Sequence, residues 1–148
     1  MIEGIGQNLH RPRNDDEWRA YHAIRREVLF ENRGYTGIYD ENHPDELENG
    51  NHPLILVHGG IAIGVIRVDV REHVAWFRRV AVRGDLQRAG HGTVLLDLAE
   101  SFARKERCSV VRSNVAVDAV EFYERCGYSP DLSRPAEAES VPMFKRLL

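Results

Sequence analysis

The chain has 148 residues, 43% of them hydrophobic and 29% charged, which is enough apolar material for the core of one domain without disulfide or metal staples. A formal net charge of −3 lacks the basic excess of a general nucleic-acid binder, so no nucleic-acid partner is expected. No apolar run approaches the ~20 residues that span a bilayer and no signal-type stretch opens the sequence, so the expectation is a cytoplasmic protein with no membrane partner.

In chain order, residues 1–13 are polar, carry Pro12 and read as a short first strand or an ordered tail. Asn14-Asp15-Asp16 supplies an Asx cap and a first-turn acidic pair. The apolar side chains Trp18, Tyr21, Ile24, Val28 and Leu29 then predict an amphipathic core helix. Glu31 to His52 is a long polar stretch with Gly34, Gly37 and Pro44, and loops of that length are usually functional or disordered. His43, Asp45 and His52 in it share no metal-ligand spacing, so a solvated loop and no metal are expected.

Pro53 to His58, the Gly59-Gly60 turn and Ile61 to Val70 predict a β-hairpin, because Gly-Gly between β-branched runs suits a tight turn. After a polar break at Arg71-Glu72-His73, Val74 to Val82 adds a third antiparallel strand, and runs this apolar imply a sheet covered on both faces. The loop from Arg83 holds Gly90 and Gly92 and leads into a helix from Gly92 to about Lys105. Its apolar pairs Val94/Leu95, Leu98/Ala99 and Phe102/Ala103 recur at helical spacing. Arg104, Lys105 and Arg107 near its end suit the helix dipole.

Val110 to Ser113 reads as a strand, Asp118 with Glu121 as the capping box of a short helix, and Gly127 as its left-handed C-terminal residue. Residues 129–140 read as a loop and Val141 to Leu148 as the last strand. Cys108 and Cys126 have no zinc or disulfide spacing and are read as structural, since a small buried thiol explains Cys126 better than an acyl-carrying nucleophile does. The fold class expected is α/β (α+β): one domain over residues 1–148 with a mixed, mostly antiparallel central sheet and helices on both faces.

Two glycines and an arginine ahead of a helix suggest chemistry. The first backbone N–H groups of a helix have no internal partner and carry partial positive charge, and glycine lets a ligand approach the backbone. Arg88 adds charge-assisted hydrogen bonds to phosphate. There is no Gly-Lys-Ser/Thr ending of a nucleoside-triphosphate loop and no third glycine of the dinucleotide pattern. Instead, Gln87-Arg88-Ala89-Gly90-His91-Gly92 resembles the Gln/Arg-x-x-Gly-x-Gly/Ala motif of the GNAT superfamily of acyl-CoA-dependent N-acyltransferases, preceded as in that family by the strand Val80-Ala81-Val82. Asn114, then Ala119-Val120-Glu121-Phe122-Tyr123-Glu124-Arg125-Cys126-Gly127-Tyr128, resembles a second motif of the family. The two span residues 80–128, and a weaker strand pattern extends the resemblance to about residue 54.

The resemblance implies an N-acetyltransferase that moves an acetyl group from acetyl-CoA to a primary amine of a small molecule or protein, by direct attack in a ternary complex. It implies that Arg88, Ala89, Gly90, His91, Gly92 and Thr93 hold the coenzyme A pyrophosphate. Backbone near Val80 and Val82 would pair with the pantetheine arm, with one N–H facing the thioester oxygen, a contact that can be worth ~3 kcal/mol. Asn114 matches a position that contacts the arm, and Tyr123 matches the residue that protonates the departing sulfur. Tyr123 beside Phe122 also reads as core filler. The segment after the first helix would lie over the acceptor site, and a homodimer stays open.

Many family members carry a Glu on the central strand four residues before the position of Val80, where this chain has Trp76. Glu31, Glu72, His73 and residues 42–48 remain candidate bases and none stands out. That departure keeps a second reading alive, a non-catalytic acyl-CoA-binding sensor module. A plain phosphate-ligand domain is disfavoured by the second motif. Finally, Arg67 and Asp69 sit within one strand and Arg78 and Arg79 within the next. Burying a charge is costly unless it is paired, so one of Arg78 and Arg79 is expected to pair with Asp69. Strict alternation would put those two arginines on opposite faces, leaving the other to an internal pair, a sheet edge or an acceptor carboxylate.

Overall fold

Apolar alternation in the first half of the chain builds three consecutive antiparallel strands in the computed structural model, which describes residues 6–148. They are β2 (Asn51–His58), β3 (Ile61–Arg71) and β4 (Val74–Val82), with β1 (Gln7–His10) pairing on the outer edge of β2. The turn predicted at Gly59-Gly60 joins β2 and β3. β5 (Val110–Ala116) pairs parallel with β4, and β7 (Ser140–Arg146) runs antiparallel between β5 and the two-residue β6 (Ser129–Pro130). The sheet order is β1-β2-β3-β4-β5-β7-β6, so seven strands form one mixed, mostly antiparallel sheet, as the sequence predicts.

Helices cover both faces. α1 (Asp15–Arg25) is capped by Asn14, whose Oδ1 accepts the Glu17 N–H at 2.9 Å. It buries Tyr21 and Ile24 against Ile55, Val57, Val65 and Ala81. α2 (His91–Lys105) and the short α3 (Val120–Arg125) lie on the opposite face, where Leu95, Leu96 and Ala99 pack with Leu54, Leu56, Phe77 and Val111. Each fully buried leucine there contributes roughly 1.5–3 kcal/mol relative to exposure.

Four local expectations need correction. α1 ends at Arg25, and Arg26–Phe30 forms a wider π turn in which the Glu31 N–H reaches the Arg26 carbonyl. The turn brings the Phe30 ring edge-on to Tyr39 at 5.0 Å. Asp118 caps nothing: residues 117–119 form a 3₁₀ turn, α3 starts uncapped at Val120, and the Asp118 carboxylate faces Arg33 at 3.6 Å. The stretch before β2 is not merely a solvated loop, because a 3₁₀ turn at Pro44–Leu47 buries Glu46. There Glu46 accepts the Tyr21 hydroxyl at 2.6 Å and the Arg25 guanidinium, so a buried charge finds its partner. Lastly, the 129–140 loop contains β6 at its start.

Candidate functional site

Pairing between β4 and β5 runs only from Val74↔Val110 to Phe77↔Ser113, where the Ser113 hydroxyl donates to the Phe77 carbonyl at 2.9 Å. Beyond that point β4 bulges. Register passes from Arg67↔Arg78 to Val65↔Ala81, so Arg79 and Val80 stand against Ile66 alone, with Arg79 in the left-handed region at φ 57°. The strands part, and the backbone of residues 78–82 on the β5 side faces a cleft instead of a ladder. The cleft has a volume of about 1050 Å³ and runs from the start of α2, between β4 and β5, to the segment that follows α1.

At one end lies the glycine loop. Gly90 precedes α2 at φ 86° with no side-chain cap on the helix N-terminus. A Cβ added at Gly90 would meet nothing within 4 Å, so glycine is needed there for its left-handed backbone, and no side chain caps the first N–H groups of α2. Gly92 has a different reason: a Cβ there would sit 2.9 Å from Cζ of Phe122, so its absence lets α3 close over the start of α2. Arg88, Gly90, Gly92 and Thr93 all border the cleft. Ala89 and His91 belong to the same loop without lining the cleft, and the His91 imidazole contacts Gln7 Nε2 at 2.9 Å.

In the middle, Val80 and Val82 line one wall and Asn114 the other. The Val82 carbonyl accepts the Gln87 side-chain amide at 3.0 Å, and Asn114 Oδ1 lies 3.4 Å from Arg134. Tyr123, 5% exposed, reaches the same cleft from α3 and is packed edge-on against Phe122 and Tyr128. Desolvation pushes its pKa above the ordinary phenol value, with Ser113 pulling the other way. Desolvation likewise raises both cysteine thiols, which removes Cys126 as a ready nucleophile.

The far end of the cleft is charged. Asp69, 4% exposed, accepts Arg67 Nε and Nη2 at 2.7 and 2.8 Å and Arg78 Nε at 3.0 Å. Arg67 Nη1 lies 3.1 Å from Asp45 Oδ2. Burial works against the Asp45 carboxylate, but Arg67 and then His43 hold its pKa below the usual value. The expected Asp69 partner is therefore Arg78, with Arg67 joining it. The expectation of opposite faces fails for Arg79, because the bulge breaks the alternation and leaves Arg79 within electrostatic reach of Arg25, Arg67, Asp45 and Glu46 on the α1 side. Of the candidate bases, Asp45 and Glu48 line the cleft, whereas Glu31, Glu72 and His73 do not.

Sequence reading missed the surroundings of Trp76. The Arg78, Arg112 and Arg134 guanidiniums lie 5.2, 6.0 and 5.0 Å from its ring centroid, an arrangement suited to cation–π attraction. The signal available was weak: Arg78 lies two residues after Trp76 on the same strand, but Arg112 reaches it only through cross-strand register. Ser113 was missed as well, although a serine ending an apolar strand run was visible. Among the described residues, no group of three or more His, Cys, Asp or Glu side chains converges to hold a metal ion. No described helix is long and apolar enough to cross a membrane.

Comparison with known proteins bears on this cleft. The sequence profile of the Acetyltransferase (GNAT) family matches residues 14–128. The chain is 24% identical over 116 residues to the uncharacterised N-acetyltransferase YjcF of Bacillus subtilis (strain 168), covering 78% of this chain and 81% of that one. A crystal structure named as an N-acetyltransferase from Lactobacillus plantarum superposes with a TM-score of 0.79 at 25% identity, covering 97% of this chain and 99% of that one. The spermidine N-acetyltransferase of Vibrio cholerae, solved with CoA and spermine, shares the fold at a TM-score of 0.74 and 16% identity, with 97% of each chain covered. The PaiA N-acetyltransferase of Thermoplasma acidophilum, solved with coenzyme A, does so at 0.73 and 18%, covering 95% of this chain and 98% of that one.

Proposed function

The chain belongs to the Acetyltransferase (GNAT) family, and from that premise we propose that it transfers an acetyl group from acetyl-CoA directly to a primary amine of a small molecule or protein. One observation carries the reading: the uncapped N-terminus of α2, the β4 backbone released from β5, and Tyr123 all border one continuous cleft.

In this reading Arg88 and the backbone amides of residues 90–93 hold the pyrophosphate of acetyl-CoA, which supplies an acetyl group activated as a thioester. The open space at Gly90 fits that use, since a phosphate needs room where a side chain would stand. Backbone groups of Val80 and Val82 and the side chain of Asn114 orient the pantetheine arm, and a β4 N–H polarises the carbonyl under attack. Tyr123, protonated at neutral pH as any phenol is, donates its proton to the departing sulfur. Arg67 and then His43 hold the Asp45 pKa below the usual value, which makes Asp45 a weak base, and both Asp69 carboxylate oxygens already accept hydrogen bonds from Arg67 and Arg78. The surrounding arginine charge instead favours the neutral form of a bound amine, which is the form that attacks.

A second reading rests on Trp76, which takes the place of the carboxylate found in many family members: a non-catalytic acyl-CoA-binding sensor. A screen of amines and amino acids with acetyl-CoA, read as free thiol release, separates the two. Release above background hydrolysis supports the enzyme, and tight acetyl-CoA binding without release from any acceptor supports the sensor.

A further inference from the structure

The acceptor end of the cleft is bordered by Arg33, Arg67, Arg71, Arg78 and Arg79, against the carboxylates of Asp45, Glu48 and Asp69. Most of these charges are already engaged. Arg67 and Arg78 converge on Asp69, and Arg67 also faces Asp45. Arg71 donates to Asn51 Oδ1 at 2.8 Å and to the Val70 carbonyl, and Arg33 faces Asp118. Glu48 is exposed at the rim. Arg79 differs from the other four arginines at this end: among the described residues it forms no ion pair and no hydrogen bond, although it lines the cleft.

The bulge explains how it comes to be there. A left-handed residue at φ 57° in the middle of a central strand is uncommon for a side chain other than glycine, and it redirects Arg79 out of the ladder into the cleft. The residue is exposed to solvent, yet protein atoms crowd one side of it; the like charges of Arg25 and Arg67 act on it most strongly, ahead of the carboxylates of Asp45 and Glu46. A guanidinium held in such a place repels cations and offers a planar fork to an anion.

We propose that Arg79 grips the carboxylate of the acceptor, so that the substrate class is an amine bearing a carboxylate, such as an amino acid, and not a polyamine. The assignment rests on the acetyltransferase reading of the same cleft. The arginine excess at this end opposes a polycation twice over, by direct repulsion and because Asp45 and Asp69 are already paired, which leaves only Glu48 at the rim to meet a second positive charge. For an amino acid the same charges act together: the carboxylate meets Arg79, and the positive field lowers the pKa of the ammonium group that must lose its proton. A peptide N-terminus has no carboxylate beside its amine and gains nothing from Arg79.

Two measurements test the assignment. In the first, kcat/KM is compared for alanine against ethylamine, phenylalanine against phenethylamine, and leucine against isopentylamine, in wild type, Arg79→Gln and Arg79→Lys. In the second, calorimetry on the CoA-loaded protein compares N-acetylphenylalanine with N-acetylphenethylamine, which needs no turnover. Wild type should prefer at least one acid over its decarboxylated partner by tenfold or more, and N-acetylphenylalanine over its partner if that acid is phenylalanine. Arg79→Gln should bring the ratio close to one, Arg79→Lys should keep part of it, and acetyl-CoA affinity should stay within about threefold in both variants. A wild-type preference for the decarboxylated amines, or an unchanged ratio in Arg79→Gln, overturns the proposal. Absence of thiol release with every amine, alongside an Arg79-dependent preference for N-acetylphenylalanine, overturns the transferase reading and leaves the carboxylate site standing.

Discussion

Gly90→Asp separates binding from folding more cleanly than any other change in the glycine loop. The residue sits at φ 86° and an added Cβ meets nothing within 4 Å, so the folded state accepts a side chain at the cost of left-handed strain alone. That strain is below about 1–2 kcal/mol, since Asp tolerates this region better than most residues. In a domain of this size it lowers Tm by only a few degrees. The new carboxylate points into the open space before α2, where the pyrophosphate is proposed to lie. At about 7 Å, one unit of like charge costs about 0.6 kcal/mol in water and about 2.4 kcal/mol at an effective dielectric of 20. With the loss of close backbone approach, acetyl-CoA affinity should fall by roughly 10- to 100-fold, at about 1.4 kcal/mol per decade. Calorimetric titration with acetyl-CoA at low and high salt, beside a thermal melt, reads both effects. Gly90→Asn controls for size, and the Asp–Asn difference should shrink as salt screens the charge. Equal affinities for wild type and Gly90→Asp, with the fold intact, would refute the phosphate-loop assignment.

Tyr123→Phe removes one hydroxyl from a buried, cleft-facing ring, so kcat should drop by roughly 10²- to 10⁴-fold while acetyl-CoA affinity holds; unchanged turnover returns Tyr123 to core filler. Glu46→Ala leaves the Arg25 guanidinium, 4% exposed, without its carboxylate, and urea unfolding should show a loss of about 3–5 kcal/mol; a loss under 1 kcal/mol would mean that the pair is not isolated from water. Hydrogen bonds from the Arg13 side chain and backbone, with His10, lower the Glu17 pKa from 4.5 to about 2. A depressed carboxylate stabilises the fold fully above its unfolded pKa, and that contribution is lost as pH falls from about 4.5 toward 2. Glu17→Gln should flatten that part of the acid-unfolding curve, and an unaltered slope would show that Glu17 is not pre-ionised by Arg13.

Local features with a strong physical signature were legible in the sequence. Gly59-Gly60 between two β-branched runs, the Asn14 cap and the left-handed Gly90 before α2 each express a backbone requirement that few residues meet. The hydrophobic periods placed three antiparallel strands and the long α2, and the order of elements was enough for the sheet class. What failed were features decided by neighbours distant in the chain. Asp118 and Glu121 have the spacing of a capping box, yet a 3₁₀ turn intervenes and Asp118 faces Arg33. Glu46 lies in a stretch whose composition reads as solvated, and it is buried because Tyr21 and Arg25 supply its partners from α1.

The charged end of the cleft belongs wholly to tertiary structure. Sequence alone supplied the charges of Arg67, Asp69, Arg78 and Arg79, and the rule that buried ones must pair. It could not supply the bulge, because which strand carries an extra residue depends on how β3 and β4 are held in register by α1 on one face and α2 on the other. The bulge breaks the two-residue alternation, brings Arg79 to the side of Arg25 and Arg67, and parts β4 from β5. A one-residue change in register thus separates a closed ladder from a cleft, and pairing across strands, which no local pattern encodes, decides between them.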